Sequence, residues 1–267
     1  MENFVGLWLG LIVTGGSMVV FFALGRRGWT GKLDDCVEGG VDICYCEKLR
    51  PGMVKQPSNT WSNLAFVLVG LLIMIHAGGA QAEGQNPMTT IPFYSIGFGI
   101  VIITVGLGSI FFHGSMTSWG NLLDNLAMYW FISFALLYDL FRLFNASDVG
   151  VFIVIFLFFN VFVGILRGLD EGSEKYVFPA LLVSLIGIGF LFALGVIGVA
   201  GVQRSFFPWF AAELGAFILA LVIWWFSRTD QPLCRPEWRI QGHAVWQVLS
   251  AVAGGFLYLN LVAEVVS

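Results

Sequence analysis

The stretch GLGSIFFHGSMTSWGNLLDNLAMYW, residues 106–130, joins two apolar runs of the chain and places a serine, a histidine and an aspartate at their junction. Each run is about 20 residues long, which is enough to cross the hydrocarbon core of a bilayer as an α-helix. The turn-forming segment GSMTSWGN, residues 114–121, separates the two runs. Polar groups that face hydrocarbon are costly, so we expect these three side chains to have a partner or a chemical role.

The composition of the whole chain is that of an integral membrane protein. Of its 267 residues, 58% are hydrophobic and only 11% are charged, and the mean hydropathy is +0.84. A soluble domain carries about twice this fraction of charged residues. The short alternating segments of an outer-membrane barrel do not occur in the sequence. We therefore predict an all-α membrane protein with eight transmembrane helices, near residues 4–25, 59–79, 91–112, 121–143, 149–167, 177–200, 207–226 and 243–264.

The basic residues are distributed unevenly across the predicted membrane. Eight helices place both chain ends on one face, here called side B, and the 26–58, 168–176 and 227–242 loops and the 113–120 turn on the other, side A. Lysine and arginine favour the cytoplasmic face of a membrane, so this bias predicts that side A is cytoplasmic. The short loops are typical of a prokaryotic plasma-membrane protein. Side B has only Arg142 and Arg204, and side A has Arg26, Arg27, Lys32, Lys48, Arg50, Lys55, Arg167, Lys175, Arg228, Arg235 and Arg239.

The four cysteines all lie in loops of side A and leave three interpretations open. Disulfides would indicate an oxidising compartment, whereas reduced thiols or a metal site would not. Cys44 and Cys46 are too close in sequence for an easy mutual disulfide, and their C-x-C spacing differs from the C-x-x-C of zinc sites. The sequence favours free thiols or one bridge between the region that also contains Cys36 and the distant Cys234.

Several polar side chains are predicted to reach the same membrane depth on side A. Ser109 and His113 are four residues apart and share one face of a helix that ends there. Asp124 opens the following helix, and His243 opens the last helix with Gln247 one turn deeper. Each residue alone also fits an ordinary role, such as an interfacial histidine, a serine bonded to a carbonyl or an acidic helix start. Their convergence favours a site.

The chemistry of this set points to hydrolysis assisted by a metal ion. Two imidazoles and a carboxylate suit zinc, which lowers the pKa of a bound water and polarises a carbonyl oxygen. In this hypothesis His113 and His243 bind zinc, Asp124 accepts a proton from the water and Ser109 stabilises an oxyanion. The substrate would be an amide or ester at the membrane interface. Nothing in the set resembles a phosphate loop or a nucleic-acid surface.

At these residues the sequence resembles the CREST superfamily and, within it, the alkaline ceramidases. That pattern is a serine, three residues and a histidine, then an aspartate on the next helix and H-x-x-x-H on the last. SIFFH supplies Ser109 and His113, LLDNLAM supplies Asp124, and GHAVWQ supplies His243. The segment NTWSNLAF, residues 59–66, resembles the opening of the family's first core helix.

The resemblance implies two domains and a ceramide-like lipid amide as substrate. Residues 1–41 would form an extra N-terminal helix with the start of a loop, and residues 42–267 a seven-helix ceramidase-like domain. The bilayer and an acyl lipid are then the expected partners. The second histidine of H-x-x-x-H is replaced here by Gln247, so a third zinc ligand would be Gln247, Asp124 or a loop cysteine such as Cys234.

The same resemblance implies a calcium site in the loop before the first core helix. Asp42 and Glu47 are the available acidic residues, whereas the position just before NTWSN that is acidic in the family is occupied here by Gln56.

Two other classes of function remain open from the sequence. A non-catalytic lipid-binding or receptor-like protein would keep the fold and lose the third zinc ligand. A transporter would need paired charges or broken helices at mid-membrane. Asp139 and Glu213, near helix ends on side B, are expected at the interface, and Asn160 is expected to bond between helices.

Overall fold

The structure, a computed structural model, describes residues 4–38, 43–79, 86–146, 148–169, 174–197, 202–204, 206–263 and 265–266. Within these residues the protein is almost entirely helical, and four two-residue strands form two small antiparallel pairs. The elements in chain order are α1 (Val5–Arg27), α2 (Asp35–Glu38), β1 (Ile43–Cys44), β2 (Glu47–Lys48), α3 (Pro57–Trp61), α4 (Leu64–Gly79), α5 (Pro87–Thr90), α6 (Pro92–Ser115), α7 (Ser118–Leu143), α8 (Val149–Leu169), α9 (Glu174–Ala193), β3 (Val202–Gln203), a π-helical turn (Phe206–Phe210), α10 (Ala211–Phe226), α11 (Gly242–Val262) and β4 (Val265–Val266).

The predicted fold class and the eight membrane spans are confirmed. Eight helical segments in the described part of the chain are long and apolar enough to cross a bilayer, with α3 and α4 together forming the second. The third span ends at Ser115 and not near residue 112. The helix stops there because Met116 adopts a left-handed conformation, and the N–H of Met116 donates to the carbonyl of Phe112. The sixth ends at Ala193, where a turn with Gly195 at positive φ follows, instead of near residue 200.

Helix α6 is the centre of the bundle. Of the 18-residue apolar stretch that marks its membrane span, 72% is buried within the protein. The corresponding share for α1 is 11%, and the apolar surface of α1 is left for lipid. Two glycines let neighbouring helices come close to α6. A Cβ on Gly106 would lie 2.7 Å from the carbonyl oxygen of Asn63, and one on Gly108 would lie 2.9 Å from that of Leu123. These two glycines therefore allow close helix packing.

The loop that follows α1 folds over the side A end of α6. The backbone N–H groups of Lys55 and Gln56 bond the carbonyls of Gly114 and His113, at 3.0 and 3.1 Å. These carbonyls belong to the last turn of α6 and have no partner inside the helix. The loop therefore completes the helix end that carries His113.

Two disulfides hold the side A loops together. Cys36 bonds Cys44 within the first loop, and Cys46 bonds Cys234 in the loop between α10 and α11. The bridge to Cys234 is one of the predicted alternatives, and the second bridge is additional. These two bonds use all four cysteines of the chain, so free thiols are excluded.

The polar residues near side B are buried inside the bundle. Asp139 and Arg204, each 1% exposed in its side chain, form an ion pair with Oδ1 and Nη1 2.5 Å apart. Asp139 lies four residues before the end of α7, and Arg204 compensates the cost of burying its charge. Asn160 of α8 bonds Ser133 of α7, as predicted for a polar residue between helices.

Candidate functional site

The polar residues predicted on side A line one cavity. It has a volume of about 330 Å³ and extends between helices α4, α6, α7, α9, α10 and α11. The walls are mostly apolar. Its polar lining on side A includes Ser109, His113, Asp124, His243 and Gln247.

The two histidine rings are neighbours in an edge-on arrangement. The ring centroids of His113 on α6 and His243 on α11 are 5.1 Å apart. Tyr45 of the first loop packs against both, with centroid distances of 5.2 Å to His113 and 5.0 Å to His243. A separation of this size allows the two imidazoles to bind a common ion or substrate group.

Gln56 sets the orientation and tautomer of His113. Its side-chain nitrogen donates to the carbonyls of Cys44 and Glu47, so its oxygen is the atom that faces the ring. That oxygen lies 2.7 Å from Nδ1 of His113. Because an amide oxygen only accepts, Nδ1 carries the proton and Nε2 keeps its lone pair. Nε2 makes no hydrogen bond within the described residues and is therefore the ring nitrogen available to a ligand.

Ser109 and Asp124 are connected across the α6–α7 interface. The hydroxyl of Ser109 donates to Oδ1 of Asp124 at 2.5 Å. Thr117 caps the start of α7, accepting from the N–H of Gly120, and so fixes the helix that carries Asp124. The absence of a side chain at Gly108 lets the two helices approach at this level.

Gln247 is buried and bonded. Its Oε1 accepts a hydrogen bond from the hydroxyl of Ser62, just before α4, at 2.5 Å. Ser62 and Gln56 were not predicted as site residues. The only sequence feature that points to them is their position. Ser62 lies within the segment NTWSNLAF, which resembles the opening of the family's first core helix, and Gln56 lies three residues before that segment.

The imidazoles of His113 and His243 are suitable zinc ligands. The site differs from a three-histidine zinc site because Gln247 stands where the third histidine would be. Within the described residues, no three histidine, cysteine or acidic side chains form a group that could hold a metal. Cys234 is excluded as a ligand because its sulfur is in a disulfide with Cys46, which corrects that prediction. The ring nitrogens of His243 have no hydrogen-bond partner in the same part of the chain, which suits a ligand. The remaining candidates are the oxygens of Gln247 and Asp124.

The predicted calcium ligands are described only in part. Asp42 lies outside the described residues. Both carboxylate oxygens of Glu47 accept backbone N–H groups, from Ser58 at 2.9 Å and from Asn59 at 2.8 Å, at the start of α3. Burial raises the pKa of Glu47, and these hydrogen bonds act in the opposite direction. Glu47 therefore has a structural role in capping α3.

A second cavity joins the site to side A. Its volume is about 490 Å³, and it shares Tyr45, Trp224 and His243 with the first. Arg228 lies on its wall, with the guanidinium 3.8 Å from the ring centroid of Trp225. His243 therefore lies on the wall of both cavities, whereas His113 lines only the first.

A sequence model of the ceramidase family matches residues 45–266, which is most of the chain. The chain belongs to the ceramidase family. The match begins after α1 and includes every residue of the site. Comparison with curated proteins gives no match.

Family membership sets the general activity. Ceramidases are lipid amide hydrolases, and the eight spans make this member an integral, multi-pass membrane protein that meets its lipid substrate within the bilayer.

Proposed function

We propose that the protein is a zinc-dependent hydrolase of a ceramide-like lipid amide. The observation that carries this proposal is the neighbouring pair His113 and His243 at the polar end of an apolar cavity. The Ser109–Asp124 pair lines the same end. The combination offers a place for an acyl chain beside groups that bind a metal and move a proton.

His113 and His243 would hold the zinc, with Gln247 or Asp124 completing the site. When bound, zinc supplies a Lewis acid and a coordinated water whose pKa is lowered toward neutrality. Gln56 accepts from Nδ1–H of His113 and so keeps Nε2 unprotonated.

Asp124 and Ser109 would handle the protons of the reaction. Asp124 takes a proton from the attacking water, and the water oxygen forms a bond to the amide carbon. Once protonated, Asp124 is a weaker acceptor, so the Ser109 hydroxyl can turn to the carbonyl oxygen, which now carries the electron pair of the former double bond. Asp124 then returns its proton to the amide nitrogen as the C–N bond breaks, giving a fatty acid and an amine.

The apolar part of the cavity would bind the hydrocarbon chain of the substrate. Its lining on α7, α9, the π-helical turn, α10 and α11 is aromatic and aliphatic. Burial of such surface contributes about 25 cal/mol per Å². The lining includes Phe131, Phe178, Leu182, Phe210, Phe217 and Leu257.

The proposal is tested with protein purified in detergent and an N-acyl sphingosine as substrate. We expect release of fatty acid, about one zinc per chain and loss of both in His113→Ala and His243→Ala. The third histidine, His76 on side B, bonds the hydroxyl of Tyr258 and is the matched control. Hydrolysis without bound metal, or equal loss in His76→Ala, would reject the zinc assignment.

One observation favours a second function, a lipid-binding protein without catalysis. The oxygen of Gln247 is already bonded to Ser62, so it competes poorly as a zinc ligand. In that case the purified protein retains lipid through extraction, binds no zinc at micromolar concentration and releases no fatty acid.

We propose that side A faces an oxidising compartment. Both disulfides lie there, and disulfides are rare where glutathione keeps thiols reduced. The bias of basic residues predicts the opposite orientation, but that rule is statistical. An impermeant thiol reagent on intact cells should label Arg239→Cys, an exposed position on side A, and spare Asn145→Cys on side B. The reverse pattern would place side A in the cytoplasm.

A further inference from the structure

The lipid cavity has a second polar end. Glu213, in the first turn of α10, lines the same cavity as Trp224, eleven residues later on that helix. With a rise of 1.5 Å per residue, the two positions are roughly 16 Å apart along the helix axis. The cavity therefore extends from the histidines near side A to a carboxyl group near side B.

This carboxyl group has an unfilled hydrogen-bonding position. Oε2 of Glu213 is buried and has no hydrogen-bond partner within the described residues. A buried polar atom without a partner is destabilising, so such an atom on a cavity wall is a place for a ligand group. The sequence predicts Glu213 near the side B interface, and the structure adds that it lies on the wall of the internal cavity.

The surroundings restrict what Glu213 can bind. Arg204 lies nearby, but its guanidinium is paired with Asp139. A carboxylate ligand would meet the negative charges of Asp139 and of an ionised Glu213, against the single positive charge of Arg204. A hydroxyl is suitable whichever protonation state Glu213 has, because it donates to a carboxylate and accepts from a carboxylic acid.

We propose that Glu213 binds a hydroxyl group near the far end of the substrate's hydrocarbon chain. The inference rests on the proposed function, which places the amide at the histidine end of the cavity. It names a substrate class, lipid amides whose chain in this cavity is hydroxylated at or close to its terminus. A plain chain of the same length leaves Oε2 unpartnered.

A second buried oxygen on the wall provides a position control. The hydroxyl of Ser250 on α11 also lines the cavity and has no partner in the described part of the chain. It lies seven residues after His243, roughly 10 Å along the helix, and so at an intermediate depth. A terminal hydroxyl should distinguish Glu213 from Ser250 by chain length.

The test measures binding of free fatty acids, which does not depend on catalysis. Pairs of ω-hydroxy and unsubstituted fatty acids of increasing length are titrated into wild type, Glu213→Leu, Glu213→Gln and Ser250→Ala, in detergent, by calorimetry. At the length that reaches Glu213, we expect wild type to bind the ω-hydroxy acid about tenfold more tightly than the plain acid, a difference of one hydrogen bond to a charged or strongly polar group. Glu213→Leu should remove this preference, Glu213→Gln should keep part of it, and Ser250→Ala should keep all of it.

The outcomes separate this inference from the proposed hydrolysis. Equal affinity for both members of every pair in wild type overturns the inference, even if the protein hydrolyses amides. A preference for the ω-hydroxy acid that Ser250→Ala removes and Glu213→Leu keeps also overturns the inference. If Glu213→Leu lowers the affinity for both acids equally, Glu213 has only a structural role and the inference is again overturned. If the preference is found and no hydrolysis is detected, the hydroxyl site remains and the catalytic proposal fails. Unchanged circular dichroism of each variant establishes that it is folded.

Discussion

The side-chain oxygen of Gln56 lies 2.7 Å from Nδ1 of His113 and connects the first loop to the histidine of α6. The amide nitrogen of Gln56 donates to two backbone carbonyls, which fixes the side-chain oxygen toward His113. Because this oxygen only accepts, the imidazole of His113 is held in the tautomer that is protonated on Nδ1. In the proposed zinc site, metal binding would therefore depend on a residue that is not itself a ligand.

Replacing Gln56 by leucine should weaken zinc binding by about 10- to 100-fold, because the ring loses the acceptor that fixes Nδ1–H. The measurement is zinc affinity by competition with a chelator. The matched control is Gln241→Leu, which removes another buried glutamine whose nitrogen donates to loop carbonyls and not to a histidine. Equal weakening in both variants would show a general effect of destabilising the loops.

Gln247→His should raise zinc affinity by about tenfold or more, because an imidazole is a better zinc ligand than a carboxamide. The same competition assay measures it, with Gln247→Leu as the comparison that removes the oxygen and adds no donor. If His and Leu at this position give the same affinity, residue 247 does not face the metal.

Gly108→Ala should lower activity and destabilise the protein by about 1–3 kcal/mol, because the new Cβ would lie 2.9 Å from the carbonyl oxygen of Leu123 and 3.1 Å from Cα of Asp124. The added methyl separates α6 from α7 where Ser109 meets Asp124. Gly215→Ala on α10 is the control, since no atom lies within 4 Å of its Cβ position. It should be neutral or stabilising, by up to about 1 kcal/mol. Full activity in Gly108→Ala would contradict the close approach.

Removing the Cys46–Cys234 disulfide by serine substitution should cost about 2–4 kcal/mol or more, and removing Cys36–Cys44 should cost less. The first closes a sequence separation of 188 residues and the second one of 8, so the unfolded chain regains more freedom in the first case. Thermal unfolding in detergent, with and without reductant, gives the comparison. A larger loss from the short loop would be evidence against this explanation.

Glu47→Gln should change how stability depends on pH. Because the folded state raises the pKa of Glu47 above its ordinary 4.5, the folded state binds the proton more tightly than the unfolded state. The resulting stability is present below pH 4.5 and is lost as the pH rises through the raised pKa. In the presence of a calcium chelator, the melting temperature of wild type should therefore fall relative to that of Glu47→Gln as the pH rises over this interval. Wild type gaining on the variant as the pH rises would show that the carboxylate is the stabilised form.

The sequence by itself determined the membrane class, the eight spans and the family. These follow from local properties, since the length and apolarity of a run decide whether it spans a bilayer and the polar residues at its end decide its depth. Ser109 and His113 share a face because helical geometry is fixed. Asp124 and His243 were expected at the same depth for the same reason, and the structure brings them to one cavity with the two histidine rings 5.1 Å apart.

Only the tertiary structure decided the partners of these side chains. Four cysteines allow three pairings, and the packing of the side A loops selects one of them. The bonds from Gln56 to His113 and from Ser62 to Gln247 join residues 57 and 185 positions apart, and a local pattern carries no information about such distances. The contact of Glu213 with the cavity was not predicted for a related reason. Depth in the membrane follows from the sequence, but the rotation of a helix about its axis, which turns a side chain to lipid or to a cavity, is set by the helices packed against it.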